Sequence, residues 1–303
     1  MINEIREIAI IGTGYMGRQI AAYIAFHGYN IHLFDANPEA LTRAKQFVLK
    51  NIETYFIKNN IHRDPRDELT KFIFLDTISE VVKDVDLIIE SVPERLELKK
   101  SIFFQIDKLA PIHAIIATTS SSFSVSKLED VVERRDKLLN LHFYAPIPKR
   151  PMVDIMRGKL TSDETFKKGR EWIESIKCVP LIAKKESPGF VFNRVWRAVK
   201  KEALNVWAGK YADFKDIDRG WIIFTGMKMG PFALMDAIGL DVVFDIEMAY
   251  FNESGDPNDK PPQQLKDMID KGELGMKSGK GFYDWTEPFE SRSPQFIKPN
   301  KVK

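Results

Sequence analysis

The fold is decided by the stretch Ile8-Ala9-Ile10-Ile11-Gly12-Thr13-Gly14-Tyr15-Met16-Gly17. An isoleucine-rich run leads into a GxGxxG turn, and a helical pattern follows the turn. In such a unit the first glycine allows a tight turn, the second admits a pyrophosphate and the third lets the helix pack on the strand. We therefore predict a dinucleotide site at Gly12, Gly14, Met16 and Gly17. The alternative is that the glycines only shape a loop.

An acidic residue favours the dinucleotide interpretation. The second strand-like run, Asn30–Phe34, ends in Asp35. A carboxylate at this position accepts hydrogen bonds from the ribose hydroxyls of the adenosine and repels a 2′-phosphate. The sequence therefore predicts NAD rather than NADP as the cofactor.

Composition bounds the class of protein. The chain has 303 residues, a net charge of +2, 44% apolar residues and 29% charged residues, which is typical of a globular protein. No apolar run is long enough to span a membrane, and the first residues lack the pattern of a signal peptide. A single cysteine, Cys178, excludes an intramolecular disulfide framework. We expect a cytoplasmic protein with a small-molecule substrate, without metal and without nucleic-acid or membrane partners.

The pattern along the chain predicts an α/β fold. Short apolar runs that predict strands alternate with longer segments of helical period. The predicted strands are Glu7–Ile11, Asn30–Phe34, Phe72–Leu75, Asp86–Ile89, Ile112–Ala117 and Leu138–Leu141. The predicted helices between them are Met16–His27, Pro38–Asn59, Leu96–Leu109 and Ser124–Val132. This alternation predicts a doubly wound, Rossmann-type sheet, with a helical hairpin excursion at Pro38–Thr70.

A second domain is predicted after a change in character near Lys184. The junction Lys184–Gly189 is charged and contains proline and glycine, as linkers between domains do. Strand-like runs are absent beyond it, and four segments look helical: Val191–Trp207, Phe214–Thr225, Phe232–Ile238 and Val242–Tyr250. We predict an NAD-binding domain over 1–185 and a mostly α-helical C-terminal domain over 186–303.

Polar residues follow the predicted strands where ligands of open α/β sheets bind. In order they are Asp35, then Glu90 with Glu94, then the hydroxyl run Thr118–Ser122, then His142. Among five histidines, only His142 directly follows an apolar strand and precedes a proline-rich loop. A histidine there could be a general base or a structural residue.

Asp154 is the natural partner of that histidine. It lies in a second short apolar run, where a carboxylate needs a partner. The alternative is a surface aspartate on an edge strand. Similarly, the run Thr118–Ser122 could bind substrate or only cap a helix.

The chain resembles the 3-hydroxyacyl-CoA dehydrogenase family, in its short 3-hydroxybutyryl-CoA dehydrogenase form. The resemblance covers nearly the whole chain and rests on separated motifs. These are Ile11–Gly17, Glu90-Ser91-Val92-Pro93-Glu94, Thr119–Ser122, His142-Phe143-Tyr144-Ala145-Pro146, Ser187–Arg194, Met229-Gly230-Pro231-Phe232 and Lys277–Tyr283.

The resemblance implies roles for individual residues. His142 would remove the 3-hydroxyl proton while hydride passes from C3 to the nicotinamide, and Asp154 would orient it. Ser121 and Asn193 would hold the reacting group. Further matches concern ligand contacts: Glu94, Lys99 and Lys277 would lie near NAD, and Lys58 would meet the CoA nucleotide. The resemblance also implies a homodimer formed through the C-terminal domain.

Two departures from the family pattern leave the substrate open. Ala145 replaces an asparagine, and Asp154 replaces a glutamate. The segment Ile147–Arg150 adds two positive charges, which would suit a free hydroxy acid, as in carnitine or gulonate dehydrogenases. The alternatives to the acyl-CoA substrate are thus such a free acid or an NAD-binding protein without catalysis.

Overall fold

The computed structural model describes residues 5–62, 64–187 and 189–286. The chain forms two compact units that divide between Phe192 and Asn193. The N-terminal unit is built on a β-sheet, and the C-terminal unit is built from helices. Within the described ranges, no helix is long and apolar enough to cross a membrane.

The sheet of the N-terminal unit has eight strands among the described residues. They are β1 (Glu7–Ile11), β2 (Asn30–Phe34), β3 (Phe72–Phe74), β4 (Leu87–Glu90), β5 (Ile115–Thr118), β6 (Leu138–Phe143), β7 (Met152–Arg157) and β8 (Val179–Ala183). Their spatial order is β3-β2-β1-β4-β5-β6-β7-β8. All neighbours are parallel except β6 and β7, which are antiparallel. The direction of winding reverses between β1 and β4, where ligands of such sheets bind.

Helices cover both faces of the sheet. They are α1 (Tyr15–Ile24), α2 (Pro38–Lys58), α3 (Ile78–Val81), α4 (Leu96–Leu109) and α5 (Asp163–Ser175). Alternate residues of β1 enter separate cores: Ile8 and Ile10 pack on one face, and Ala9 and Ile11 pack on the other. Because both faces are buried, the strands are continuous apolar runs. The predicted doubly wound sheet is confirmed.

The excursion begins with a well-defined helix start. The Asn37 side chain accepts a hydrogen bond of 2.9 Å from the Glu39 amide, and Pro38 occupies the first helical turn. Helix α2 buries only one side, and the returning arm is a short 3-10 helix, Pro65–Lys71. The predicted hairpin is present, with this shorter second arm.

The helix predicted at Ser124–Val132 is wrong, since this segment forms the 3-10 turns Val125–Lys127 and Glu129–Val131. The amides of Lys127, Leu128 and Val131 donate to the carbonyls three residues before them, which is the 3-10 pattern. The Ser126 amide donates to the Glu186 carboxylate at 2.7 Å. Local propensity therefore loses to tertiary contacts here.

The C-terminal unit contains α6 (Phe192–Ala208), α7 (Phe214–Thr225), α8 (Pro231–Ile238), α9 (Leu240–Ser254) and α10 (Gln263–Asp270). Helix α6 begins at the last residue of the N-terminal unit. An aromatic cluster that includes Trp207, Phe214, Phe232 and Phe282 forms the core of this unit. The predicted mostly α-helical second part is confirmed.

Two buried carboxylates tie the helices of this unit to the segment after α10. Asp218 accepts hydrogen bonds from the amides of Phe232 and Ala233, at 2.8 and 3.0 Å, and from the Tyr283 hydroxyl. Asp236 accepts from the amides of Phe282 and Tyr283. These carboxylates satisfy backbone groups that would otherwise be buried without partners.

Candidate active site

The glycine turn after β1 leaves space for a ligand at one position only. Gly12 has a φ of +93°, and a Cβ there would lie 2.5 Å from the Ser91 carbonyl oxygen. A Cβ on Gly17 would lie 2.0 Å from the Gly12 carbonyl oxygen, so α1 packs directly on the turn. At Gly14 nothing lies within 4 Å. This open side at the N-terminus of α1 fits a pyrophosphate.

Asp35 is held beside this turn at the end of β2. One carboxylate oxygen accepts hydrogen bonds from the Thr13 amide at 2.7 Å and from the Thr13 hydroxyl at 3.0 Å. The other accepts from the Asn37 amide at 2.9 Å. The half-buried carboxylate is therefore fixed by the turn that would hold the pyrophosphate, which fits the ribose of NAD.

A buried network at the end of β4 joins this strand to α4 and to β5. Glu90 and Lys99 are almost fully buried, and Lys99 Nζ lies 2.7 Å from Glu90 Oε1. The other oxygen of Glu90 accepts from the Thr118 hydroxyl at 2.7 Å. Lys99 Nζ also lies 3.2 Å from the Glu94 carboxylate. Thus Lys99 holds the loop after β4 against the sheet.

Glu94 extends this network towards the hydroxyl run. It accepts hydrogen bonds from the Ser120 hydroxyl and, at 3.0 Å, from the Ser122 amide. Burial would raise the pKa of Glu94, but the charge of Lys99 and these hydrogen bonds lower it below its ordinary value. Glu94 is therefore an ionised residue, and Ser120 shapes the loop rather than facing solvent.

One cleft of about 580 Å³ joins the glycine turn to His142. It is lined by residues at the carboxyl ends of β1, β2, β4, β5 and β6. Those predicted as site residues are Gly12, Gly14, Met16, Asp35, Glu94, Lys99, Ser121 and His142. Ser121 is exposed. The cleft thus combines a dinucleotide turn with a hydroxyl and an imidazole in one space.

His142 faces Asp154 across the antiparallel pair of β6 and β7. His142 Nδ1 lies 3.4 Å from Asp154 Oδ2, and Asp154 is completely buried. Because β7 has neighbours on both sides, the alternative of a surface aspartate on an edge strand is wrong. The imidazole has a buried negative charge beside Nδ1, while the ring also lines the cleft.

Two aromatic residues that the sequence did not single out hold this pair. The Tyr144 hydroxyl donates a hydrogen bond to Asp154 Oδ2, and its ring meets the His142 ring edge-on at 4.6 Å. Phe190 stacks on His142 at 4.9 Å with an interplanar angle of 19°. Phe190 has a φ of +53°, which is uncommon for a residue with a side chain. Both lie in motifs noted in the sequence, but only the folded chain reveals their contacts.

Other predicted residues lie outside this cleft. Lys58 is the last residue of α2 and is exposed. Asn193 is half-buried in α6 and belongs to the C-terminal unit. Lys277 also belongs to that unit, where its Nζ lies 2.5 Å from an oxygen of Asp241.

Comparison with known proteins assigns both units to one family. Residues 7–187 match the family domain "3-hydroxyacyl-CoA dehydrogenase, NAD binding domain". Residues 189–285 match the family domain "3-hydroxyacyl-CoA dehydrogenase, C-terminal domain". The chain belongs to the 3-hydroxyacyl-CoA dehydrogenase family. It is an enzyme of the oxidoreductase class that uses NAD, which confirms the predicted family and cofactor.

Individual relatives match the chain over most of its length. The 3-hydroxybutyryl-CoA dehydrogenase of Clostridioides difficile is 34% identical over 281 residues, which are 93% of this chain and 100% of the relative. The solved structure of (S)-3-hydroxybutyryl-CoA dehydrogenase from Ralstonia eutropha is 31% identical, with a TM-score of 0.85 and coverage of 94% and 100%. A diketoreductase, described as acting on dicarbonyl compounds, is 32% identical, with a TM-score of 0.83 and coverage of 93% and 99%.

Proposed function

We propose that this dehydrogenase interconverts an (S)-3-hydroxyacyl-CoA and the corresponding 3-oxoacyl-CoA. The observation that carries the proposal is the cleft in which the glycine turn and Asp35 share one space with Ser121 and His142. Relatives named 3-hydroxybutyryl-CoA dehydrogenase support the substrate class.

His142 is the general base of the proposed reaction. Because Nδ1 faces Asp154, Nε2 is the nitrogen that accepts the proton of the 3-hydroxyl group during oxidation. Asp154, 3.4 Å from Nδ1, stabilises the resulting imidazolium through its charge. NAD, when bound, supplies the hydride acceptor. In the reverse direction, His142 returns the proton to the 3-oxo oxygen.

The remaining site residues bind and orient. The exposed hydroxyl of Ser121 donates a hydrogen bond to the substrate oxygen, and Asn193 of the C-terminal unit helps hold the reacting group. Gly12, Gly14, Met16, Gly17 and Asp35 bind NAD, as do Glu94, Lys99 and Lys277. Lys58 meets the CoA nucleotide. In this division of labour, the domain of residues 1–185 carries the cofactor, and that of residues 186–303 carries substrate and dimer contacts.

The test of the base is a His142→Gln variant, assayed with 3-hydroxybutyryl-CoA and NAD. Turnover is expected to fall roughly a hundredfold or more, because the glutamine side chain cannot accept the hydroxyl proton in place of the imidazole. Binding of NAD should stay nearly unchanged. His113→Gln is the matched control, since His113 is exposed and precedes β5, at the other end of the strands. Unchanged turnover in His142→Gln would contradict the proposal.

A free hydroxy acid or dicarbonyl compound is the second candidate substrate. Lys149 and Arg150 are exposed in the loop after His142, and Arg150 donates a hydrogen bond of 2.5 Å to the Ala145 carbonyl. Such cations suit a free carboxylate. The dicarbonyl substrate of the diketoreductase also favours this candidate.

A substrate panel separates the two candidates. It compares 3-hydroxybutyryl-CoA with free 3-hydroxybutyrate, carnitine and gulonate. If the thioester is preferred, Lys58→Glu should raise its KM several-fold with little change in kcat, because Lys58 contacts only the nucleotide. A preference for any free acid would overturn the acyl-CoA assignment. Turnover of any of these substrates excludes an NAD-binding protein without catalysis.

We also propose a homodimer formed through the C-terminal unit. At the end of α7, the side chains of Ile223 and Phe224 are 60% and 93% exposed, and Met227 is 51% exposed. Contiguous exposed apolar side chains of this kind mark interfaces. Light scattering should report a dimer that Phe224→Asp converts to a monomer.

A cytoplasmic location is proposed because Cys178 is a buried free thiol, as expected in a reducing compartment.

A further inference from the structure

We propose that Tyr144 is a positioning residue that makes the shortened carboxylate of Asp154 serve His142. This inference rests on the proposed function, in which His142 is the base. Tyr144 contacts neither substrate nor cofactor in this account, and it acts through Asp154.

A gap separates the side chains of His142 and Asp154. The two residues are directly opposite each other in the antiparallel pair of β6 and β7. Even so, Nδ1 and Oδ2 are 3.4 Å apart, which exceeds the usual N–H···O distance. Among the described residues, neither His142 Nδ1 nor Asp154 Oδ1 has a hydrogen-bond partner. The aspartate side chain alone does not reach the imidazole.

The Tyr144 hydroxyl lies at this gap. It donates to Asp154 Oδ2, the same oxygen that faces His142. Tyr144 is buried and lies just beyond β6, two positions after His142. Burial of a carboxylate is costly unless hydrogen bonds replace water, and Tyr144 provides one to Asp154.

The rings restrict how the imidazole can move. Tyr144 meets the His142 ring edge-on at 84°, and Phe190 stacks on one of its faces. Because the two rings hold the imidazole, His142 cannot turn towards Asp154. The position of Asp154 Oδ2 therefore determines how strongly the carboxylate interacts with the imidazole. During oxidation the proton moves from the substrate hydroxyl to Nε2, and Tyr144 keeps its own proton. Tyr144 thus fixes the negative charge opposite the forming imidazolium.

The test combines Tyr144→Phe with Asp154→Glu. Tyr144→Phe keeps the ring and removes only the hydroxyl. We expect kcat to fall roughly tenfold, while KM and the Kd of NAD stay within about twofold of wild type. Tyr29→Phe is the matched control, because Tyr29 is also buried and its hydroxyl lies 2.5 Å from Ser175 Oγ, outside the cleft.

The sign of the coupling between the two substitutions distinguishes a positioning role of Tyr144 from a role in packing alone. In the wild-type background, Asp154→Glu should lower kcat, because the added methylene competes with the Tyr144 hydroxyl. In the Tyr144→Phe background, the same change should raise kcat, because the longer carboxylate fills the vacated space and reaches Nδ1. Equal effects in both backgrounds, or an unchanged kcat in Tyr144→Phe, would overturn the proposal.

A readout without turnover separates this inference from the proposed function. If wild-type protein oxidises no 3-hydroxyacyl-CoA, the proposed function fails, but the imidazole can still be observed by ¹⁵N NMR. Tyr144→Phe should shift the ring nitrogen resonances of His142, and Tyr29→Phe should leave them unchanged. Unchanged His142 resonances in Tyr144→Phe would overturn the role of Tyr144 by themselves.

Discussion

Glu90 and Lys99 form an ion pair of 2.7 Å in which both side chains are at most 1% exposed. The pair joins the end of β4 to α4, beneath the cleft, and Glu90 also holds Thr118 of β5. Removal of one partner leaves an uncompensated buried charge, whereas removal of both does not. Lys99 also pairs with the partly exposed Glu94, so the loop that lines the cleft depends on matched charges around Lys99.

Lys99→Met should lower the free energy of unfolding by about 3–5 kcal/mol, because the buried Glu90 carboxyl loses its counter-charge. Glu90→Gln/Lys99→Met should recover much of this loss. Lys100→Met is the control, since Lys100 pairs with Asp130 at the surface and should contribute little. Urea denaturation measures all three variants. A double variant no more stable than Lys99→Met would show that Glu90 and Lys99 are not energetically coupled.

Two glycine substitutions should separate folding from cofactor binding. Gly17→Ala places a Cβ 2.0 Å from the Gly12 carbonyl oxygen and should cost about 1–3 kcal/mol of stability. Gly14→Ala meets no protein atom and should cost less than about 1 kcal/mol. It should nevertheless raise the Kd of NAD about tenfold or more, because its Cβ fills the pyrophosphate approach. Thermal unfolding and NAD titration decide this, and tight binding by Gly14→Ala would refute it.

Asp35→Asn should weaken NAD binding about tenfold and narrow the preference over NADP, because the carboxylate charge is lost. The hydrogen bonds from Thr13 can still reach the amide oxygen and only the one from the Asn37 amide is lost, so folding should be preserved. Dissociation constants of both cofactors are the measurement. Asp76→Asn is the control, since Asp76 is exposed beyond β3. An unaltered ratio of the two constants would refute the role of Asp35.

Asp218 should make stability depend on pH. Burial raises its pKa from 3.8 to about 6, although hydrogen bonds from Phe232 and Ala233 oppose the shift. The folded state then binds more protons than the unfolded state between these values, so the free energy of unfolding falls as pH rises from about 4 to 6. The contribution of this group is about 3 kcal/mol. Above about pH 6 this group no longer changes the free energy of unfolding.

Asp218→Asn should remove this dependence, because an amide does not titrate. The measurement is the difference in unfolding free energy between wild type and variant, from urea denaturation at several pH values. Asp236, whose pKa burial also raises, is present in both proteins, so most of its own pH dependence cancels; its charge is one cause of the raised pKa of Asp218. A difference that stays constant from pH 4 to 7 would show that Asp218 ionises at its ordinary pKa.

Much of the fold was predictable because it depends on local patterns. The predicted strands overlap β1 to β6, and the predicted helix Leu96–Leu109 coincides with α4. The pattern did not identify α5, β8 or α10, although Ser162 caps α5 by accepting from the Thr165 amide. Strand β8 is only partly buried, so its alternation is a weaker signal than a continuous apolar run.

Candidate site residues could be chosen from the sequence because parallel strands end at one edge of a sheet. That rule selected Asp35, Glu94, Ser121 and His142, and all four line the same cleft. Their chemical roles stay predictions. The contacts of Tyr144 and Phe190 with His142 had no comparable signal, since they depend on ring positions across separate segments.

The sequence by itself determined the family, the cofactor and the doubly wound sheet, because glycine spacing, Asp35 and apolar periodicity act over short stretches of chain. Only the tertiary structure decided that Lys99 is sealed in a buried ion pair, and that Asp154 Oδ2 accepts a hydrogen bond from Tyr144 while lying 3.4 Å from His142 Nδ1. The physical reason is distance. A difference of about half an ångström decides whether a hydrogen bond forms, and side-chain packing from several strands sets that difference.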